Sequence, residues 1–353
     1  MRLLITGICG FAGSQLSEAL LDRIAGLEII GIDNLSRRGS ELNLARLKRL
    51  GCRVVHGDIR LSEDLDELPA VDWVLDCAAI PTVLAGLTGG TAQLVGHNLI
   101  GTLNLLEKCR RERAGLIILS SSRVYSIPAL CAVPLCQTQD RFEIDPSAVL
   151  PHGLSVEGVS ESFSTEAPVS LYGGTKLASE RMALEYGFAF DFPVRINRCG
   201  VIAGPGQFGR IDQGIFSYWI YQWILGKPLA YIGFGGEGLQ VRDLLAPADL
   251  VELVALQLQD PTRAAPAIVN AGGGRARSLS LRELSAFCTR ATSTPRQIDG
   301  KPETRPYDIP YYVTDCGVVG RHWGWQPREP VEQTLESIVR WARDHLEELG
   351  SFD

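Results

Sequence analysis

Thr6-Gly7-Ile8-Cys9-Gly10-Phe11-Ala12-Gly13 follows the apolar run Leu3–Ile5 and opens an amphipathic stretch, and the reading of this turn decides the fold. Glycine recurs at every third position. That permits a tight turn and close backbone approach, and the helix that follows begins with N–H groups that have no intrahelical acceptor. Such a helix start is a ready cradle for phosphate. The sequence therefore predicts a dinucleotide site, with Gly7, Gly10, Phe11, Ala12 and Gly13 around the pyrophosphate. A partner acid stands at the expected distance, Asp33 in Ile32-Asp33-Asn34, twenty residues after Gly13. A carboxylate ending the second strand accepts from both ribose hydroxyls and repels a 2′-phosphate, which predicts NAD over NADP, with Asn34 beside it. Arg37 and Arg38 lie nearby and pull the other way.

Beyond this turn, short apolar runs alternate with helical patterns. Leu3–Ile5, Glu28–Ile32, Arg53–His56, Trp73–Cys77, Leu116–Leu119 and Val194–Asn197 read as strands. Most are nearly continuous in apolar residues, as strands buried on both faces are. Gly13–Ala25, Leu42–Leu50, Leu94–Arg111 and Ser170–Gly187 read as the helices between them. The alternation predicts an α/β chain with a Rossmann doubly wound parallel sheet over residues 1–200, carrying an insertion at about 126–170. Residues 201–353 are less regular, with helical patches at Gly214–Leu225, Leu281–Ala291 and Pro330–Glu348. They predict a smaller C-terminal α/β lobe that binds substrate and sends segments back to the sheet. Gly350 to Asp353 reads as a frayed end.

Composition narrows the class. The chain has 353 residues, 45% of them hydrophobic, enough for a large core. A net charge of −7 without any basic block predicts no nucleic-acid partner, although a local arginine cluster can still take an anionic substrate. Nine cysteines in no regular spacing and five scattered histidines predict no metal site and reduced thiols, hence a cytoplasmic protein. The apolar run after Met1-Arg2 is too short for a signal peptide, and no run of ~18 apolar residues predicts a membrane span.

Several strand ends carry candidate chemistry. Asp58 and Ile59 end the third strand, where an acid faces the adenine edge or forms a turn. Ala78 and Ala79, after the fourth, are small enough to let backbone pass close to a cofactor. Asn98 opens a helical pattern, as a cofactor contact or as a helix anchor. Ser120-Ser121-Ser122 follows the fifth strand, where open α/β sheets bind ligands, so a hydroxyl there can bond a substrate alcohol or ketone. Tyr172 and Lys176 are four residues apart on one helical face. An ammonium so placed favours the phenolate, as does the positive charge of an oxidised nicotinamide, and a phenolate can act as base. The motifs together predict a site that moves a hydride and a proton on an alcohol.

At this point the chain resembles the extended short-chain dehydrogenase/reductase family of nucleotide-sugar enzymes. The resemblance is carried by Thr6 to Gly13, Asp33-Asn34-Leu35-Ser36, Ser121 four residues before Tyr125, Tyr172 with Lys176, Gly204-Pro205-Gly206, Gln240-Val241-Arg242-Asp243-Leu244 and Gly324-Trp325-Gln326-Pro327. Within the family it looks most like the CDP-tyvelose (CDP-paratose) 2-epimerase group, through Asp33 to Gly39, Asp212-Gln213-Gly214 and the long gap between Tyr125 and Tyr172. The resemblance implies an NAD-dependent epimerase. Tyr172 would be the base, Ser121 would orient the hydroxyl and Lys176 would bind the nicotinamide ribose. Inversion would follow either rotation of the oxidised sugar or deprotonation at the adjacent carbon. It further implies a nucleotide-sugar substrate held by Ser122, Arg123, Asn197, Gln213, Gln240, Arg242 and Arg305, and a homodimer. Arg242 would grip the diphosphate or, alternatively, pair with Asp243. A 4-epimerase or a net dehydrogenase/reductase of a sugar nucleotide stays open. Sugar 4,6-dehydratases carry an Asp-Glu pair after the catalytic hydroxyl, where this chain has Ser122 and Arg123, which argues against water elimination.

Overall fold

The computed structural model describes residues 1–37, 39–87, 89–210 and 213–350. The first half is built from β1 (Arg2–Thr6), α1 (Phe11–Arg23), β2 (Glu28–Asp33), α2 (Ser40–Arg49), β3 (Arg53–His56), β4 (Trp73–Asp76), α3 (Gly101–Glu112), β5 (Gly115–Ser121), α4 (Ser170–Phe190) and β6 (Val194–Cys199). The later chain adds α5 (Ile215–Ile224), β7 (Val241–Leu245), α6 (Pro247–Gln259), β8 (Ile268–Ala271), α7 (Leu281–Thr292) and α8 (Val331–Asp344). Seven strands form one parallel sheet in the order β8-β6-β5-β4-β1-β2-β3. This is the doubly wound order, extended at one edge by β8 from late in the chain.

The sheet is covered on both faces, which explains the continuous apolar strands. Successive strand residues point to opposite faces. Leu3 and Ile5 pack with Leu16 and Leu20 of α1 and with Leu250 and Leu253 of α6. Leu4 packs on the other side with Leu105 and Leu106 of α3 and Ala183 of α4. The register sets Thr6 opposite both Ile32 and Asp76, and Cys199 opposite Ser121. The carboxyl ends of these strands therefore open along one edge, and the cleft lies there.

Two elements differ from the sequence expectation. The stretch read as one helix over Leu94–Arg111 is a helix at Thr91–Val95, a π-helical turn at Gly96–Ile100 and then α3. The widened turn carries Asn98, whose carbonyl accepts from Thr102 Oγ1 at 3.2 Å and Ser179 Oγ at 2.7 Å. Helix α6 was not expected. Its Leu250, Val251, Leu253, Val254, Ala255 and Leu258 are all buried, so no polar face marks a helical period.

Residues after 201 also hold their own apolar core, in which Phe216, Trp219 and Trp223 of α5 meet Leu284 and Phe287 of α7 and Leu335 and Ile338 of α8. The insertion contains two small antiparallel pairs, Leu135–Gln137 with Phe142–Ile144 and Leu154–Ser155 with Gly158–Val159. It packs through Val159 and Phe163 around Tyr125 and Tyr311 to Val313. Val159 N–H donates to Val313 O at 2.8 Å, tying the insertion to the later chain.

Candidate active site

The Gly-rich turn is as tight as its spacing predicts. Gly7 has φ +59°, a left-handed conformation that suits glycine, and its carbonyl accepts from Gly10 N–H at 2.9 Å. A Cβ on Gly13 would stand 2.4 Å from Gly7 O, so only glycine lets α1 start this close to the strand end. Gly10 caps α1 without a side-chain bond, and Phe11, Ala12 and Gly13 line the cleft at the helix start.

Asp33 is buried at the end of β2. Its Oδ2 accepts from Cys9 N–H at 2.9 Å and its Oδ1 from Leu35 N–H at 2.8 Å. Burial raises its pKa in spite of these bonds. Hydroxyl donors from a ribose would relieve that cost, and each carboxylate oxygen keeps a second lone pair for them. Asn34 Nδ2 donates to Asp58 Oδ2 at 2.9 Å and so joins two predicted residues. Asp58 is also gripped by Arg60 at 2.7 Å, and that pairing, ahead of the opposing effect of burial and the bond from Asn34, holds its carboxyl well below the usual range. Asp33, Asn34, Asp58, Ile59, Ala78 and Ala79 line one end of the cleft together with His97.

At the other end the cleft wall brings together Ser120, Ser121, Ser122, Arg123, Tyr172, Lys176, Gln213, Gln240, Arg242 and Arg305. Ser121 ends β5 and accepts from Arg123 N–H at 3.2 Å. Tyr172 and Lys176 are both buried on the first turns of α4, and Lys176 Nζ donates to Leu119 O at 3.1 Å. The β5 backbone thus anchors the ammonium beneath the serine cluster. Ser120 donates its hydroxyl to Glu180 Oε1 of α4 at 2.5 Å. Gln213 Oε1 accepts from Arg37 Nη2 at 2.9 Å and bridges the two ends. Arg38 and Asp212 lie outside the described residues.

Two expectations are corrected, and one alternative left open by the sequence is decided. Asn197 does not reach the cleft: it sits mid-strand in β6 and exchanges two amide bonds with Gln257 of α6, at 2.9 and 2.8 Å, both residues fully buried. Asn98 is an anchor rather than a cleft residue. Its Oδ1 accepts from Ile80 N–H at 2.8 Å, and its Nδ2 donates to Ile80 O and to Thr175 Oγ1, each at 3.2 Å. The side chain thereby ties the segment after β4 to the Tyr172 helix. Arg242 pairs with Asp308 at 3.1 Å, not with Asp243, which is buried and accepts from Gly274 and Thr314 N–H groups.

The sequence reading also missed neighbours of the cleft. Thr6 Oγ1 donates to Asp76 Oδ1 at 2.7 Å and accepts from Cys77 and Ala78 N–H at 3.1 Å, which sets the backbone beside the cofactor end. Glu180 of α4 grips Arg198 of β6 with bonds of 2.7 to 3.2 Å. Its place four residues after Lys176 is a helical-face signal that could have found it. Asp308, in the loop after Arg305, carries no such signal.

A doubly wound sheet with this cleft defines a dinucleotide-dependent enzyme of the short-chain dehydrogenase/reductase type. The chain belongs to the NAD dependent epimerase/dehydratase family, whose model matches residues 3–272. It is 29% identical to the CDP-paratose 2-epimerase of Salmonella typhi, over 97% of this chain and 99% of that one. It is 25% identical to the UDP-glucuronate 4-epimerase of Thermodesulfobacterium geofontis, over 99% and 98%. Among solved structures it is similar to the UDP-glucose 4-epimerase of Thermus thermophilus in complex with NAD, with a TM-score of 0.75 and 25% identity over 97% of this chain and 99% of that one. NAD is the cofactor, and the residues fit it: the turn admits no Cβ at Gly13, where α1 starts against Gly7 O, and the buried Asp33 is placed for a ribose. No helix among the described residues is long and apolar enough to cross a membrane, and no group of three His, Cys, Asp or Glu side chains among them is placed to hold a metal.

Proposed function

We propose that the protein inverts one carbon of a nucleotide sugar by transient oxidation, most like a CDP-sugar 2-epimerase. The observation that carries this reading is the gathering of Ser121, Tyr172 and Lys176 at one end of the cleft, with Ser122 and Arg123 following Ser121 where water elimination would need acids. Tyr172 takes the proton of the reacting hydroxyl, which Ser121 orients. Lys176, held by Leu119 O one helical turn from the phenol, binds the nicotinamide ribose. When bound, NAD accepts the hydride from the sugar carbon and later returns it. Gln213, Gln240, Arg242 and Arg305 hold the sugar nucleotide, with the guanidiniums toward its diphosphate. The similarity to UDP-sugar 4-epimerases supports inversion at carbon 4 as the second reading.

Tyr172→Phe tests the assignment. Turnover of the accepted sugar nucleotide should fall on the order of a hundred- to ten-thousandfold, while bound NAD is retained. Unchanged turnover would remove Tyr172 from the role of base.

We further propose a cytoplasmic homodimer and a cofactor domain over 1–200 with the sugar nucleotide bound mainly by 201–353. All nine cysteines are unpaired thiols, which suits a reducing compartment. Val95 and Ile100 beside α3 and Leu171 and Met182 on α4 expose apolar side chains, an arrangement that a second copy would cover. Light scattering on the purified protein should give twice the chain mass.

A further inference from the structure

We infer that the protein closes a collar of contacts around the middle of its NAD. The chain from Gly204 to Arg210, with Gln213 at its end, is a strap that must lift before the cofactor can leave. The strap acts on the cofactor, whichever sugar is accepted.

A dinucleotide that reaches from Asp33 to Tyr172 and Lys176 has to cross the Gly7–Gly13 turn. The cleft walls on the two sides of that crossing share Gly7, Gly10, Arg37, Ser40, Phe208 and Gln213. The cofactor path therefore passes between these groups, and protein joins protein at every step around it. Asn43 Nδ2 of α2 donates to Cys9 O at 2.9 Å, which fastens the segment after β2 to the turn. That segment meets the strap twice. Arg37 Nη2 donates to Gln213 Oε1 at 2.9 Å. Gly39, at φ +93°, lies against Phe208 so closely that a Cβ would stand 2.3 Å from the aromatic ring. The foot of the strap returns to α1. Gln15 Nε2 donates to Pro205 O at 3.3 Å, and a Cβ on Gly204 would stand 3.3 Å from the Phe11 ring. Helix α1 starts directly from the turn, so the collar is complete.

The strap is firm on its own side. Arg210 and Gln213 exchange backbone N–H to O bonds of 2.6 and 3.1 Å. Gln207 is buried, its Nε2 donating to Ile202 O at 2.9 Å and its Oε1 accepting from Ser217 Oγ at 2.9 Å. The Phe208 ring meets Trp341 of α8 edge-on, with centroids 5.6 Å apart. The weak junction is the one across the cleft. Arg37 is exposed, so its bond to Gln213 competes with water, and Phe208 on Gly39 carries most of the closure. The collar opens there. Such a closure governs passage of the cofactor in both directions and leaves its affinity alone. An enzyme that returns the hydride to the same sugar has no need to exchange NAD between turnovers.

The test is the exchange of bound NAD. The NAD-loaded protein is mixed with an excess of isotopically labelled NAD, and the label retained on the protein is followed by mass spectrometry. Dialysis against graded NAD gives the affinity. Phe208→Ala should speed exchange by on the order of tenfold, the worth of a partly buried aromatic side chain, at unchanged affinity. Phe208→Leu should fall between it and the wild type. Gln213→Ala should speed exchange by about two- to tenfold, the range of one hydrogen bond. Melting temperature reports whether each variant is folded, and Gln213→Ala, which removes a single bond, decides if Phe208→Ala does not fold. Unchanged exchange in the folded variants would overturn the inference. So would faster exchange with affinity lost by the same factor, which would make these residues direct holders of NAD. A wild-type protein that exchanges its NAD within the mixing time would overturn it as well.

Discussion

Asp308 is the only carboxylate among the described residues that line the sugar end of the cleft, and Arg242 holds it at 3.1 Å. A carboxylate so held is poorly placed as a base for a sugar carbon, because Arg242 and the Ile309 N–H occupy one of its oxygens. Inversion should therefore proceed by rotation of the oxidised sugar. Turnover in deuterated water followed by proton NMR should show no deuterium at the inverted carbon, and incorporation there would assign a base to the site. Gly13 makes a second residue-scale prediction. Alanine would drive its Cβ to 2.4 Å from Gly7 O, so Gly13→Ala should cost about 1–3 kcal/mol of stability through overpacking and should lose bound NAD. Absorbance after denaturation and a denaturant titration measure both. Asp58 makes a third. Its folded pKa lies below its unfolded value, about 3.9, so the pairing with Arg60 stabilises fully above that value and is lost as pH falls through the folded one. The melting-temperature gap between the wild type and Asp58→Asn should therefore close as the solution is acidified below about pH 4. Legibility at this scale followed locality. Asp33, Gly13 and Lys176 announce themselves by spacing to nearby residues. Asn98 and Asn197 look alike in sequence, yet their partners, Ile80 and Thr175 for one and Gln257 for the other, are distant in the chain.

Among the elements, α4 carries Tyr172 and Lys176 of the proposed mechanism and is held from beneath. Glu180 and Arg198 are both nearly fully buried, and Arg198 reaches on to Tyr125 OH at 3.4 Å, which in turn donates to Asn270 Oδ1 at 2.6 Å. Helix α4 is thereby tied to β5, β6 and β8. Breaking one partner of a buried pair costs about 3–5 kcal/mol, whereas replacing both with apolar residues costs far less. Glu180→Leu should destabilise by that amount in a denaturant titration, and the double variant with Arg198→Met should recover much of it. A double variant as unstable as the sum of its parts would contradict the pairing. The strands of the first half were legible because burial on both faces leaves continuous apolar runs, as in Leu3 to Ile5. Helix α6 was not, for the same physical reason: its burial on several sides erases the amphipathic period. The π-helical turn at Gly96–Ile100 was illegible because it is set by what Asn98 and Ser179 reach across to.

At the scale of the whole molecule, the cleft joins a cofactor end set by the early strand ends to a sugar end closed by late segments. Those segments arrive at Gln213, Gln240, Arg242 and the 305–308 loop, with the insertion braced against Val313. The cofactor end could be read in advance because one turn and one acid define it. The sugar end could not, since Asp308 meets Arg242 only once the loops are folded. In the proposed reaction this molecule oxidises and re-reduces the same sugar without giving up its cofactor. Its most direct test is to incubate the purified protein, without added NAD, with its sugar nucleotide while following absorbance at the NADH band and the epimer composition by NMR. An equilibrium mixture of two epimers should form, with no accumulation of NADH beyond the bound cofactor. NADH formed in step with a consumed sugar, and only when NAD is supplied, would contradict it.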